Sequence, residues 1–199
     1  MATSEAVKGT RKSVQRRVVL TGTSPIMFDR YAGDNETKLA PEQKVNLDTD
    51  GRTLVMPALN IMSFLSAENT PSAPKVLLDA RKYKTTARAC LNYATIAPDL
   101  IPILRDGEKI EVGQFVNDKD PKSGMWIHRC VARLEKGIPN PKQRPVLPLP
   151  WSIEFELSLI PNDVLQETQL SWLFSEGGKA IGLGTFRGVF GKFAVAHWE

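Results

Sequence analysis

Cysteine and histidine are scarce, with two of each in 199 residues. Cys90 and Cys130 lie far apart in the chain, so neither a disulfide framework nor a close-spaced zinc motif is expected, and both read as reduced, buried thiols. With His128 and His197 as the only imidazoles, a metal centre would fall to carboxylates. Asp29, Asp34, Asp48 and Asp50 lie in a turn-rich stretch, and turn chemistry explains them equally well. No metal, no cofactor and no small-molecule substrate are therefore expected. No apolar run approaches the roughly 20 residues of a membrane span. The charged N-terminus is followed by no apolar segment, so neither a membrane span nor a secretory leader is expected and the default location is cytoplasmic. No internal repeat or low-complexity run is visible.

An excess of charge is also missing from most of the chain. Residues 1–17 hold five bases and one acid, and taking these from the chain's 26 bases and 22 acids leaves 21 of each. The net charge of +4 thus belongs to the N-terminal stretch. Residues 1–16 read as a flexible basic arm before a single domain at 17–199. Arg16 and Arg17 stand at the junction, where they could lie along nucleic acid or merely solubilise the terminus.

What the chain has in abundance is glycine near its end. Six glycines fall between Gly177 and Gly191, interleaved with Phe186, Arg187, Phe190, Lys192 and Phe193. Glycine permits positive φ and close backbone approach. Arginine and lysine supply phosphate donors, and an aromatic face supplies a place for a base to stack. Gly182, Gly184, Gly188, Gly191, Phe186, Arg187 and Lys192 are thus candidates for contact with a polyanionic strand. The alternative is a set of turns and bulges with the phenylalanines in the core. Two nucleotide motifs are excluded. After Gly182 and Gly184 the next glycine, Gly188, comes one position late for the dinucleotide fingerprint. Gly191-Lys192 is followed by Phe193 rather than Ser or Thr, and position 186 is Phe, so the phosphate-loop motif fails at both ends.

Residues 17–23 and 52–56 read as strands, and Pro57 introduces a helix over 58–67 with Leu59, Met62, Phe64 and Leu65 inward. Residues 29–51 read as a long loop with a possible short hairpin. Lys75 to Tyr93 is a second basic stretch in which Lys82, Lys84 and Arg88 lie near Tyr83 and Tyr93. It suits a single strand gripped by charge and stacking, or a solvated helix face. Residues 96–104 and the proline-rich 137–150 read as extended connectors, the latter unable to pair as a central strand. Residues 109–116 and 125–134 read as strands. Residues 151–159 alternate cleanly, with Trp151, Ile153, Phe155, Leu157 and Leu159 on one face. A helix follows from Pro161-Asn162-Asp163, capped by Asp163 with Gln166 three residues on and closed by a left-handed Gly177. Residues 180–195 return as strand, glycine loop and strand. The order predicts an α+β fold, a mainly antiparallel sheet with helices on one face, closing on half of a ferredoxin-like unit.

The chain resembles the RAMP superfamily of CRISPR-associated proteins. The resemblance rests on Arg17 to Ser24 followed by Pro25-Ile26-Met27, on the Val55-Met56-Pro57 step into a helix, and above all on Gly182 to Arg187 through Gly191-Lys192-Phe193. The ending also resembles small phage proteins that finish in a glycine–arginine–glycine–aromatic pattern. The match covers the first strand, one helix and the last fifty residues. It implies a ferredoxin-like, RRM-like core, a C-terminal glycine-rich loop, and RNA or single-stranded DNA as partner. It further implies a small non-catalytic binder, or a homo-oligomeric subunit that assembles along the strand. Two alternatives stand beside it. One is a phage structural protein that uses the loop as a subunit contact. The other is a metal-independent RNA endonuclease using His128, since some members of that superfamily use a histidine; no catalytic residue is assigned.

Overall fold

Val14–Gly22 forms β1, the strand around which the sheet is built. Its β-branched run favours extended backbone, and Val18 and Leu20 alternate into the core. The computed structural model describes residues 12–34, 36–113, 115, 124–133 and 139–199. Residues 1–11 of the expected arm lie outside these. The strand begins at Val14, so Arg16 belongs to the sheet and not to an arm ending at residue 16.

The remaining elements follow in chain order. They are β2 (Ile26–Met27), a 3₁₀ turn at Pro41–Lys44, β3 (Val55–Pro57), α1 (Ala58–Ser66), α2 (Ala73–Leu77) and α3 (Tyr83–Tyr93). Then come β4 (Ala94–Ala97), β5 (Leu100–Arg105), β6 (Glu108–Lys109), β7 (Trp126–Arg133), β8 (Pro139–Leu147), β9 (Ser152–Leu159), α4 (Glu167–Ala180) and β10 (Phe193–Trp198).

β1 pairs antiparallel with β9 on one side and with β10 on the other. β9 and β10 therefore run parallel with β1 between them, joined through α4, which is a split β-α-β unit. β4 and β5 pair antiparallel with the far side of β9. The order β10-β1-β9-β4/β5 is that of a ferredoxin-like fold, and the molecule is α+β with a mainly antiparallel sheet. Trp151, Ile153, Phe155, Leu157 and Leu159 turn to the core as their period demands. There Phe64 of α1 meets Phe174 of α4 and Phe193 of β10 at ring-centroid distances of 5.6 and 5.5 Å.

The opposite face of the two central strands carries Arg17, Val19 and Thr21 from β1 with Ser152, Glu154, Glu156 and Ser158 from β9. An RRM stacks bases on aromatic side chains of its sheet. No aromatic of β1 or β9 occupies that face here, so the RRM-like topology comes without an RRM-like stacking surface.

A second sheet, β2-β8-β7, projects from this core. The proline-rich segment is a strand, contrary to its reading as a connector. β8 pairs with β7 along its whole length, from Val146 opposite Trp126 to Pro139 opposite Arg133. Pro139, Pro141 and Pro145 occupy alternate positions, so their missing N–H groups fall on the edge turned away from β7. Only Val146 and Leu147 pair on that second edge, with Met27 and Ile26. The strand is thus central only where it contains no proline.

Other expectations are corrected. Residues 94–105 are two strands, because Ala94–Ala97 finds the edge of β9 and Val55–Pro57 pairs with Leu100–Pro102. The α1 face is shifted from the expected one: Ala58, Ile61, Phe64 and Leu65 are inside and Leu59 is exposed. Asn162, not Asp163, organises the turn before α4. Its Oδ1 accepts from the N–H groups of Val164 and Leu165, and the helix starts only at Glu167. Gly177 and Gly178 lie inside α4 and do not cap it. A Cβ on Gly177 would lie 2.6 Å from Phe64 Cζ, and one on Gly178 would lie 2.5 Å from the Phe193 carbonyl oxygen. Helix-interior glycine costs roughly 1 kcal/mol against alanine, and close packing of α1 and β10 onto α4 is what it secures. Residues 181–192 form an irregular loop with no strand before it.

Candidate nucleic-acid interface

The loop from Ile181 to Lys192 is knitted to its surroundings through its backbone. Leu183 N–H donates to Gly191 O at 2.9 Å, Thr185 N–H to Met27 O at 2.9 Å, and Gly191 N–H to Pro25 O at 2.7 Å. Gly184 N–H donates to Asn60 Oδ1 of α1 at 3.0 Å. Gly182, Gly184 and Gly191 have φ of +88°, +78° and +73°. A Cβ on Gly182 would sit 2.5 Å from the Gly191 carbonyl, and one on Gly184 would sit 2.5 Å from Met27 O. These three glycines let the loop pack against itself and β2, and they leave no space for an outside strand at their Cα atoms. Gly188, at φ +90°, has nothing within 4 Å of a built Cβ and is the open member of the set.

The side chains look the other way. Phe186 is 49% exposed and Val189 is 59% exposed. The Phe186 ring lies 6.0 Å from that of Phe190, and Phe190 contacts the His128 ring of β7 edge-on at 5.4 Å. His128 is therefore packed against the loop's own base. Arg187 reaches back over the helical layer. Nη1 donates to Pro71 O at 2.9 Å, Nη2 to Ser63 Oγ at 3.1 Å, and Nε to Gly184 O at 3.4 Å. All three acceptors are neutral. Desolvation draws the Arg187 pKa below the usual arginine range, yet a guanidinium stays charged at any ordinary pH. It is a half-buried cation with no carboxylate partner among the described residues.

Lys192 is half-buried and forms no ion pair among the described residues; its N–H donates to Ser24 Oγ at 2.9 Å. Its side chain does not line the cavity that holds Arg187. Arg16 and Arg17 are taken up by the fold. Arg16 pairs with Glu167 at the start of α4, and Trp198 Nε1 donates to the same carboxylate at 3.1 Å. Arg17 pairs with Glu154 across the open sheet face at 2.6 Å. These hydrogen bonds raise both arginine pKa values and lower those of Glu154 and Glu167. Lys82, Lys84 and Arg88 are exposed at and on α3. Arg88 borders a concavity with Asn92 and Asp163, and Lys82 one with Leu78 and Gln169. Neither cavity includes a residue of the glycine loop, so the α3 cations and the loop do not share a cavity.

What converges instead are neutral residues that sequence reasoning passed over, together with Asp29, which it named only as a turn-region carboxylate. Arg187 and Phe186 share a cavity of about 340 Å³ with Ser63, Thr70 and Pro71. Gly184 and Thr185 form one wall of it and also border a second cavity of about 200 Å³ with Phe28, Asp29, Asn46 and Asn60. Arg30 and Tyr31, the next residues after Asp29, enter a third of about 660 Å³ between the loop after β2 and the edge of β8. The first two concavities share Gly184 and Thr185, and the second and third are linked through the consecutive residues Asp29 and Arg30. Asn60 and Ser63 lie three apart on α1, a helical spacing that puts both on one face. That spacing was the available signal.

No family model matches the chain, and no curated protein matches it. Among solved structures, a chain of the cryo-EM structure of the Type III-B Cmr-beta bound to cognate target RNA shares its architecture at a TM-score of 0.55 and 12% sequence identity. The alignment covers 94% of this chain and 60% of that one, so the protein spans about three-fifths of the length of its structural neighbour. The chain thus has the α+β fold of a protein from that complex.

Proposed function

We infer that the protein is a non-catalytic, largely sequence-tolerant binder of single-stranded nucleic acid. The observation that carries the reading is Arg187: a half-buried guanidinium held by three neutral oxygens and by no carboxylate among the described residues. Buried charge is normally paired, and an anion brought to this cavity would supply the missing counter-charge. Phe186 beside it offers an exposed ring for base stacking, worth about 1–3 kcal/mol per base. The neighbouring fold comes from a complex bound to cognate target RNA, which favours RNA over DNA and fits a RAMP-like assignment. On this reading Lys192 adds long-range charge, Gly188 keeps the loop tip low, and the α3 cations stand apart.

Binding of fluorescein-labelled oligo-U and oligo-dT, followed by anisotropy across a salt series, tests this. Expected is binding at low salt that falls steeply as salt rises. The reading is wrong if neither oligomer binds nuclease-treated protein at 25 mM salt. A second reading, the loop as a contact between copies of this chain, is favoured by the exposed apolar pair Phe186 and Val189. It requires large assemblies to form without nucleic acid, as read by light scattering.

A further inference from the structure

The largest of the three concavities lies outside the glycine loop, and its chemistry goes beyond what that loop explains. The chain after β2 is tied down along the proline-bearing edge of β8. Phe28 N–H donates to Pro145 O at 3.0 Å, and Lys44 Nζ donates to Gln143 O at 3.0 Å. Asp29 is the central pin, paired with Arg144 at 2.7 Å and with Lys44 at 3.5 Å. One carboxylate thus answers two bases. Because β8 presents no N–H at Pro139, Pro141 and Pro145, this edge cannot be extended by another strand, and the space beside it stays open.

Into that space project Arg30, Lys38 and Lys142, none of them ion-paired among the described residues, together with Lys44 and the 63% exposed ring of Tyr31. The one carboxylate on its lining is Asp34. Its oxygens are already spent on the N–H groups of Glu36 and Thr37 and on the Thr37 hydroxyl, and these bonds hold its pKa below the usual range. The result is a groove of about 660 Å³ with a clear positive excess and one accessible aromatic, in a molecule whose sequence beyond residue 17 has no net charge at all.

We propose that the groove between β8 and residues 30–34 and 36–44 is a second nucleic-acid contact. Lys38 and Lys142 engage successive phosphodiesters there, and the Tyr31 ring receives a base. This rests on the single-strand reading above and extends it: the strand runs from the Arg187 cavity past Asp29 into the groove. Groove cations and a stacking ring need no base-edge code, so the contact is sequence-tolerant.

The test uses the full chain and labelled oligo-U, with thermal melting to confirm that each variant is folded. Lys38→Ala with Lys142→Ala removes two phosphate contacts. At about 0.7 counterions per phosphate for single strands, the slope of log affinity against log salt becomes shallower by about 1.4, roughly a 25-fold loss at 0.1 M salt. Tyr31→Ala weakens binding roughly tenfold and leaves the slope unchanged. Lys84→Ala with Arg88→Ala on α3 removes the same charge from another surface and changes neither. If oligo-U binds the parent protein but the groove variants match it, the groove proposal falls and the loop reading survives. If the α3 pair flattens the slope as much as the groove pair, the effect is general charge and the proposal is overturned. If the parent protein does not bind at all, both readings fall together.

Discussion

Replacing Arg187 by methionine keeps an extended side chain over the helical layer while removing charge and donors. Two of its hydrogen bonds are well formed, at 2.9 Å to Pro71 O and 3.1 Å to Ser63 Oγ, and the third is long. A hydrogen bond from a charged donor contributes about 1.5–3 kcal/mol. The desolvation of an unneutralised guanidinium, visible in its lowered pKa, offsets part of that. The net loss of stability should be about 1–3 kcal/mol, or a Tm lower by roughly 3–10 °C for a chain of this size. Binding follows a separate arithmetic. Loss of one phosphate contact makes the salt slope for a single strand shallower by about 0.7, roughly a fivefold loss at 0.1 M salt. Ser63→Ala separates the two effects. It removes one acceptor, leaves the charge in place, and should lower Tm while leaving the salt slope intact. The assay is anisotropy of labelled oligo-U at four salt concentrations beside differential scanning fluorimetry. If Arg187→Met lowers Tm but leaves the salt slope at its parent value, the arginine is a clip between loop and helices and the reasoning is refuted.

Three further outcomes follow from the same structure. Asp50 is held at a pKa of about 2 by the Thr53 hydroxyl and by the N–H groups of Arg52 and Thr53. A carboxylate with a depressed folded-state pKa contributes stability above its unfolded value near 3.9 and loses it as pH falls toward 2. The Tm gap between parent and Asp50→Ala should therefore be constant at pH 5–7 and close between pH 4 and 2; a gap that persists at pH 2 contradicts the assignment. Gly184→Ala should be far more damaging than Gly188→Ala, because the first drives a methyl against Met27 O while the second meets only the positive-φ penalty of about 1–2 kcal/mol; equal Tm losses would refute the packing account. Burial pushes the Cys90 thiol up to about 12, whereas Cys130 is half-exposed. An aromatic disulfide reagent should thus titrate one thiol in the native protein and two in guanidinium, with Cys130→Ser abolishing the native reaction.

Much of the core was legible because its signals are periodic. The alternation from Trp151 to Leu159 is the innermost strand, and the β-branched run after Arg17 is its neighbour. The parts that were misread are those where the partner decides. Pro139, Pro141 and Pro145 forbid pairing on one edge only, and nothing local says that just one edge is needed. Gly177 looks like a helix end until Phe64 is placed against it. At the candidate site, Arg187 and Phe186 were visible from residue type, but their surroundings were not. Ser63, Pro71 and Asn60 come from a segment more than a hundred residues away, and Arg30 and Lys142 line one groove where Asp29 ties two distant segments together. Arg16 and Arg17 show the converse, since their ion-pair partners Glu167 and Glu154 lie far off in sequence.

On the proposed reading, the glycine loop reconciles two demands that compete elsewhere. A loop that contacts a flexible polyanion must expose cation and ring, but a loop that presents them in fixed geometry must itself be held. Here the loop is held through its own backbone: the main-chain N–H groups of Gly182, Gly184 and Gly191 donate to the Gly177 carbonyl, the Asn60 side-chain oxygen and the Pro25 carbonyl. That leaves the Phe186 and Val189 side chains exposed, while Arg187 lies half-buried against neutral oxygens. Even the positive φ of Phe186, at 54°, belongs to this division. A non-glycine residue in that region costs about 1–2 kcal/mol, and the fold bears the cost at the position where a large ring is turned outward. Phe186→Gly would relieve the strain and delete the ring together, so it should raise or preserve Tm while weakening oligonucleotide binding. A variant that lost stability and kept binding would place the ring in the core and not at a ligand.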